Sequence, residues 1–175
     1  GAGEEIAHVV GGSLDSAAES RRLLDARWRL TLREEVHTVI AGISGDPGRH
    51  DFADLARAAA CAARVVQENG RIVLMTQASP RLGPAVEIVR QAEDPAKALE
   101  TLRQQKPGDM AAAFEWASAA QKAKIYLLSG LDAEVVEELF ATPLEQAEQV
   151  KRLIGKSCLV LPDAHKTLAV IEGRG

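Results

Sequence analysis

Residues 36–76, VHTVIAGISGDPGRHDFADLARAAACAARVVQENGRIVLMT, decide the fold. The opening VHTVIAGI (36–43) is rich in β-branched residues and nearly continuous in apolar character. That is the pattern of a strand buried on both faces, as in parallel sheets. A Gly- and Pro-containing loop, Ser44–Asp51, follows. Phe52, Leu55, Ala56, Ala59, Ala63 and Val66 then recur at helical spacing and make one apolar helix face. Asn69-Gly70 suits the left-handed conformation that ends a helix, which predicts a stop there. Ile72–Thr76 is a second buried strand. The stretch therefore reads as one β-α-β unit.

The same logic extends both ways. Upstream, Glu5–Val10 reads as a short strand and Gly11-Gly12 as a turn. Ser16 and Glu19 have capping-box spacing, predicting a helix to about Trp28 with Leu24 and Trp28 on one face. Downstream, Pro84 and Pro95 start helices over 84–92 and 95–105, the second behind the N-cap Asp94. Met110, Ala113, Phe114, Ala117 and Ala120 mark another helix face, followed by the strand Ile125–Leu128. Asp132 caps a helix to about Phe140, and Thr142-Pro143-Leu144-Glu145 has the form of a further helix start. Cys158–Leu161 is a strand, and Thr167–Ile171 a short edge strand. Alternating strands and helices predict an α/β three-layer sandwich: a mostly parallel sheet of about five strands with helices on both faces. No repeat or linker divides the chain, so residues 1–175 read as a single α/β domain.

Composition narrows the classes. The chain has 175 residues, 46% hydrophobic and 26% charged, as in ordinary globular proteins. Its net charge of −4 lacks the basic excess of a nucleic-acid binder. No apolar run is long enough to span a membrane as a helix. Cys61 and Cys158 lie in apolar surroundings without a CxxC pattern. Both are expected to be buried free thiols, which fits a cytoplasmic location. The first residues show neither an initiator Met nor a signal peptide, so a longer protein is expected.

Ligands of open parallel sheets bind outside the carboxyl ends of the strands, here segments 44–51, 77–84 and 162–167. In the first, Gly42, Gly45 and Gly48 allow close backbone approach. Asp51 can cap the next helix, whose free N–H groups attract anions. Arg49 and His50 add charge, and Asp54 and Arg57 lie one turn apart. A pocket for a small carboxylate or phosphate is one reading; a turn followed by a surface ion pair is the other. The spacing matches no dinucleotide or ATP fingerprint. Gln77, Ser79 and Arg81 offer a weaker rim. Asp163-Ala164-His165-Lys166-Thr167 has a catalytic-looking composition, with a solvated turn the preferred reading. His8 and His37 read as packed or edge residues, Trp28 and Trp116 as packing residues. The four histidines show no metal-ligand spacing.

From VHTVIAGISGDPGRHDFADLARAAACAARVVQENGRIVLMTQAS onward, the chain resembles the C-terminal domain of the nickel-dependent lactate racemase family. Ser44-Gly45-Asp46-Pro47 stands at that family's Gly-Gly-Tyr-Pro-like turn, and the helix over 51–67 at its Tyr-Gln-x-x-Lys helix. Glu68-Asn69-Gly70-Arg71 stands at its KEGG turn. KAKIYLLSGL (122–131), Thr142-Pro143 and Gly155-Lys156 before LVLP (159–162) extend the match over about residues 8–170. The resemblance implies the substrate-closing half of a two-domain enzyme that racemises or epimerises a 2-hydroxy acid by reversible hydride transfer. It implies a nickel-pincer nucleotide in the full-length protein, held by an N-terminal domain, and no cofactor bound by this fragment, which would be inactive alone. Ala53, Asp54 and Arg57 fall at the Tyr, Gln and Lys positions, so only the charge at Arg57 is kept, and Asp109-Met110-Ala111 lacks the family's aromatic. The implied partners are a small 2-hydroxy acid and the N-terminal domain, with neither nucleic acid nor membrane. Arg49 and Arg57 would anchor the carboxylate; His50 and Asp54 would set specificity. A non-catalytic anion-binding or regulatory module on the same fold is the alternative, and a nucleotide-binding domain built on 44–51 a third.

Overall fold

The computed structural model describes Gly12 and residues 16–173. The strand expected at Glu5–Val10, with His8, lies outside the described residues. The expected α/β class holds. Five parallel strands form the sheet: β2 (Val36–Gly42), β3 (Val66–Met75), β4 (Lys124–Leu128), β5 (Ala141–Pro143) and β6 (Cys158–Leu161), in spatial order β5-β4-β3-β2-β6.

That order dictates the layers. From β2 to β5 every step goes the same way across the sheet, so right-handed crossovers put their helices on one face. These are α2 (Phe52–Ala63), α3 (Pro84–Arg90), α4 (Pro95–Gln105), α5 (Met110–Lys122) and α6 (Ala133–Glu138). They share one core with Val39, Ala41, Ile72, Leu74, Ile125 and Leu127 of the sheet. Alanines at 56, 59, 113 and 117 are fully buried and let α2 and α5 pack closely. The return from β5 to β6 crosses the other face and carries a 3-10 helix, Ala147–Leu153. The Leu153 carbonyl accepts hydrogen bonds from Thr38 Oγ1 (3.1 Å) and Arg71 Nη1 (2.9 Å) there.

Several local expectations are corrected. Helix α2 ends at Ala63, well before Asn69-Gly70. Val65 and Val66 are β-branched and fully buried, and Val66 is already extended opposite Val36. Asn69 does take the left-handed conformation (φ 58°), but inside a bulge of β3 where pairing jumps from Val36–Val66 to Thr38–Arg71. A Cβ on Gly70 would lie 2.7 Å from Val66 Cγ2 and 2.8 Å from the carbonyl oxygens of Gln67 and His37. Gly70→Ala is therefore expected to destabilise the fold by roughly 1–3 kcal/mol, read by denaturant unfolding.

Thr142-Pro143 starts no helix. It forms edge strand β5, where Pro is tolerated, because Ala141 buries against Ile125 and the Leu144 N–H bonds the Leu127 carbonyl. Helix α1 (Ser16–Trp28) forms as expected, but its face is not buried, and Leu24 is exposed. A strand the sequence did not announce, β1 (Arg29–Leu32), pairs in parallel with β7 (Leu168–Ile171) as a separate two-stranded sheet packed on α2. The segment expected as an edge strand of the main sheet is thus diverted. Cys61 is buried as expected, whereas Cys158 is exposed, at the start of the outermost strand β6. Among the described residues no helix is long and apolar enough to cross a membrane.

Candidate functional site

Strands β2 and β6 are neighbours at which the chain order of the sheet reverses, the position where open α/β sheets place their ligands. Their two exit loops are tied together. The Ala164 N–H donates to the Gly42 carbonyl (3.0 Å), and Ser44 Oγ donates to Asp163 Oδ1. Gly42 is required there, since a Cβ would meet the Pro162 carbonyl oxygen at 2.8 Å.

The first loop continues as a 3-10 turn, Pro47–Arg49, capped by Asp46, and then enters α2. Asp51 is the N-cap, as expected, in a reciprocal box: its carboxylate accepts from the Asp54 N–H (3.0 Å), and Asp54 Oδ2 accepts from the Asp51 N–H (3.2 Å). The box aims Asp54 at the site. Its Oδ2 also lies 3.2 Å from His50 Nδ1, and its Oδ1 accepts from Arg57 Nη2 at 2.6 Å. The expected Asp54–Arg57 pair forms with Arg57 half exposed, but the Asp54 side chain is only 15% exposed and that of His50 2%. His50 Nε2 faces the Ser44 carbonyl at 3.0 Å. Burial opposes ionisation of Asp54, but Arg57, His50 and the Asp51 N–H outweigh it and hold its pKa below the usual value.

The structure therefore brings His50, Asp54 and Arg57 together. Arg49 sits on the exposed 3-10 turn and forms no hydrogen bond or ion pair with them. The turn whose preferred reading is a solvated one supplies two further groups, His165 and Lys166. His165 packs edge-on against His50, ring centroids 5.3 Å apart. Both its ring nitrogens are buried without a hydrogen-bond partner. Burial, aided by the Lys166 charge, lowers its pKa and keeps the ring neutral at neutral pH. Lys166 lies 3.7 Å from Asp163 and stacks over Trp28. Beside this cluster, a cleft of about 240 Å³ is lined by Arg57, Arg64, His165 and Lys166, with Glu115 opposite them in charge. Such a cleft suits a small anion.

The segment after β3 turns elsewhere. The Gly130 N–H bonds the Ala78 carbonyl, and the Ala85 N–H faces the Asp109 carboxylate.

The fold has relatives among solved structures. The lactate racemase apoprotein from Thermoanaerobacterium thermosaccharolyticum superposes with a TM-score of 0.80 over 91% of this chain, at 13% identity. Part of that apoprotein shares this fold. A protein from Thermotoga maritima superposes with a TM-score of 0.63 over 91% of the chain, at 10% identity. The chain spans 41% and 42% of those two proteins. No family model and no curated protein match the sequence.

Proposed function

We propose that this chain is the substrate-holding part of a lactate racemase-like protein, and that it binds a small 2-hydroxy acid in the cleft between α2 and the turn that follows β6. The observation that carries the reading is the cationic cleft of Arg57, Arg64 and Lys166 beside the buried His50–Asp54–His165 cluster. In this reading Arg57 and Lys166 hold the carboxylate. Arg57 keeps donors to spare beyond its bond to Asp54, because a guanidinium carries five N–H groups. His165, which borders the cleft and makes no hydrogen bond, would turn a ring nitrogen to the hydroxyl of the acid. Hydride transfer would be supplied by a nickel-pincer nucleotide held outside this chain, and the residues described here orient the acid. The first anchor assigned from sequence, Arg49, gives way to Lys166, which lines the cleft.

The test is chiral chromatography of a panel of 2-hydroxy acids. The acids are incubated with the product of the complete reading frame encoding this chain, co-expressed with nickel-cofactor biosynthesis enzymes. Loss of enantiomeric purity in one acid is expected. Arg57→Ala should then reduce kcat/KM by roughly 10- to 100-fold, as loss of a charged hydrogen bond of about 1.5–3 kcal/mol predicts. Unchanged kinetics in that variant would remove Arg57 from the site. Retained anion binding with no turnover of any acid would favour the non-catalytic module.

A further inference from the structure

The geometry points to a divalent transition-metal site formed by His50, Asp54 and His165, and we propose that it binds a zinc-like ion. One ligand atom from each residue lies within 4.8 Å of the others. His50 Nε2 faces a backbone carbonyl, which can only accept, so that nitrogen carries a proton. The His50 Nδ1 faces Asp54 Oδ2 at 3.2 Å. Either a proton or a metal ion can sit between these two atoms. A proton would serve His50 and Asp54 but would leave both buried nitrogens of His165 without a partner. A metal ion would join His50 and Asp54 and take one of the two His165 nitrogens as a third ligand. Unsatisfied buried groups of this kind ask for a water or an ion.

The surroundings have the form of an outer shell. Metal-bound histidines commonly donate their second N–H to a backbone carbonyl, and ligating carboxylates are themselves hydrogen-bonded. Here the Ser44 carbonyl holds His50, and Arg57 and the Asp51 N–H hold Asp54. The three ligand atoms, within 4.8 Å of one another, would draw closer to reach the roughly 2.0–2.2 Å bonds of zinc. Two histidines and one carboxylate leave a fourth position open, the donor set of catalytic rather than structural zinc sites. His165 and Arg57 also line the adjacent cleft, so a carboxylate or hydroxyl seated there is the ligand class for that position. This last step rests on the acid-binding reading; the metal site itself does not.

The experiment titrates the 175-residue chain with Zn²⁺ alone by calorimetry, with no acid present, so its failure is separate from failure of the acid reading. One Zn²⁺ per chain at micromolar affinity or tighter is expected. His165→Ala should weaken binding at least about 100-fold, beyond what loss of an outer-shell partner costs. The His165 nitrogens make no hydrogen bond, so this variant keeps the fold, which circular dichroism checks. Co²⁺ should give the visible bands of a four-coordinate site in the parent chain and not in the variant. Absence of stoichiometric Zn²⁺, or equal binding by His165→Ala, overturns the proposal.

Discussion

Trp116→Ala is expected to lower the unfolding free energy by about 3–5 kcal/mol, the range for removing a large buried aromatic side chain. Trp116 is fully buried at the centre of α5 and packs against Phe52 of α2, ring centroids 5.4 Å apart. Its Nε1 donates to the Leu139 carbonyl at 2.8 Å, just after α6. One side chain thus joins three helices that share the core face of the sheet. Truncation leaves both a cavity and an orphaned carbonyl. For a domain of this size the loss corresponds to a fall in Tm of about 6–20 °C. Trp116→Phe separates the terms, since it keeps most of the volume and loses only the hydrogen bond, about 0.5–1.5 kcal/mol. If calorimetry finds the Ala variant within 1 kcal/mol (roughly) of the parent, the account of the helical layer fails.

Asp54→Ala is expected to cost about 2–4 kcal/mol, more than most polar substitutions. Half of the N-terminal box of α2 disappears, worth about 1 kcal/mol. The buried His50 Nδ1 loses its partner, worth about 1–3 kcal/mol more. The isosteric Asp54→Asn isolates the charge. Because the folded pKa of Asp54 lies below its unfolded value, the folded state releases its proton more readily. The stabilisation is therefore fully present above the unfolded value of about 3.9 and is lost as pH falls through the lower folded value. The stability gap between parent and Asp54→Asn should be level above about pH 5 and should narrow only in strong acid. A gap that widens on acidification would contradict the assigned partners.

Most of this architecture is written in short-range chemistry. The buried strand 36–43, the helix behind Asp51 and the Pro-started helices α3 and α4 all form as their sequences predict. The misreadings arise where tertiary pairing overrides a local signal. Asn69-Gly70 supplies a left-handed turn, but in a strand bulge, because burial of Val65 and Val66 ends the helix first. Thr142-Pro143 has every mark of a helix start, and the free edge of β4 claims it as a strand. At the site, His50, Asp54 and Arg57 were legible because they lie within one loop and one helical turn. His165 and Lys166 were not, since their approach depends on β6 pairing beside β2, 119 residues apart at the Ser44–Asp163 contact. The available signal was positional: both follow the carboxyl end of strand β6.

The central claim is that these loops form one binding site for a small acid. The most direct measurement is a titration of the isotope-labelled chain with a 2-hydroxy acid such as lactate, followed residue by residue by NMR. Saturable shifts gathered on residues 44–64, Glu115 and 162–168, with the His165 ring and the Arg57 side chain among the largest, are the predicted result. Shifts that never saturate, or that gather on another face of the sheet, would contradict it.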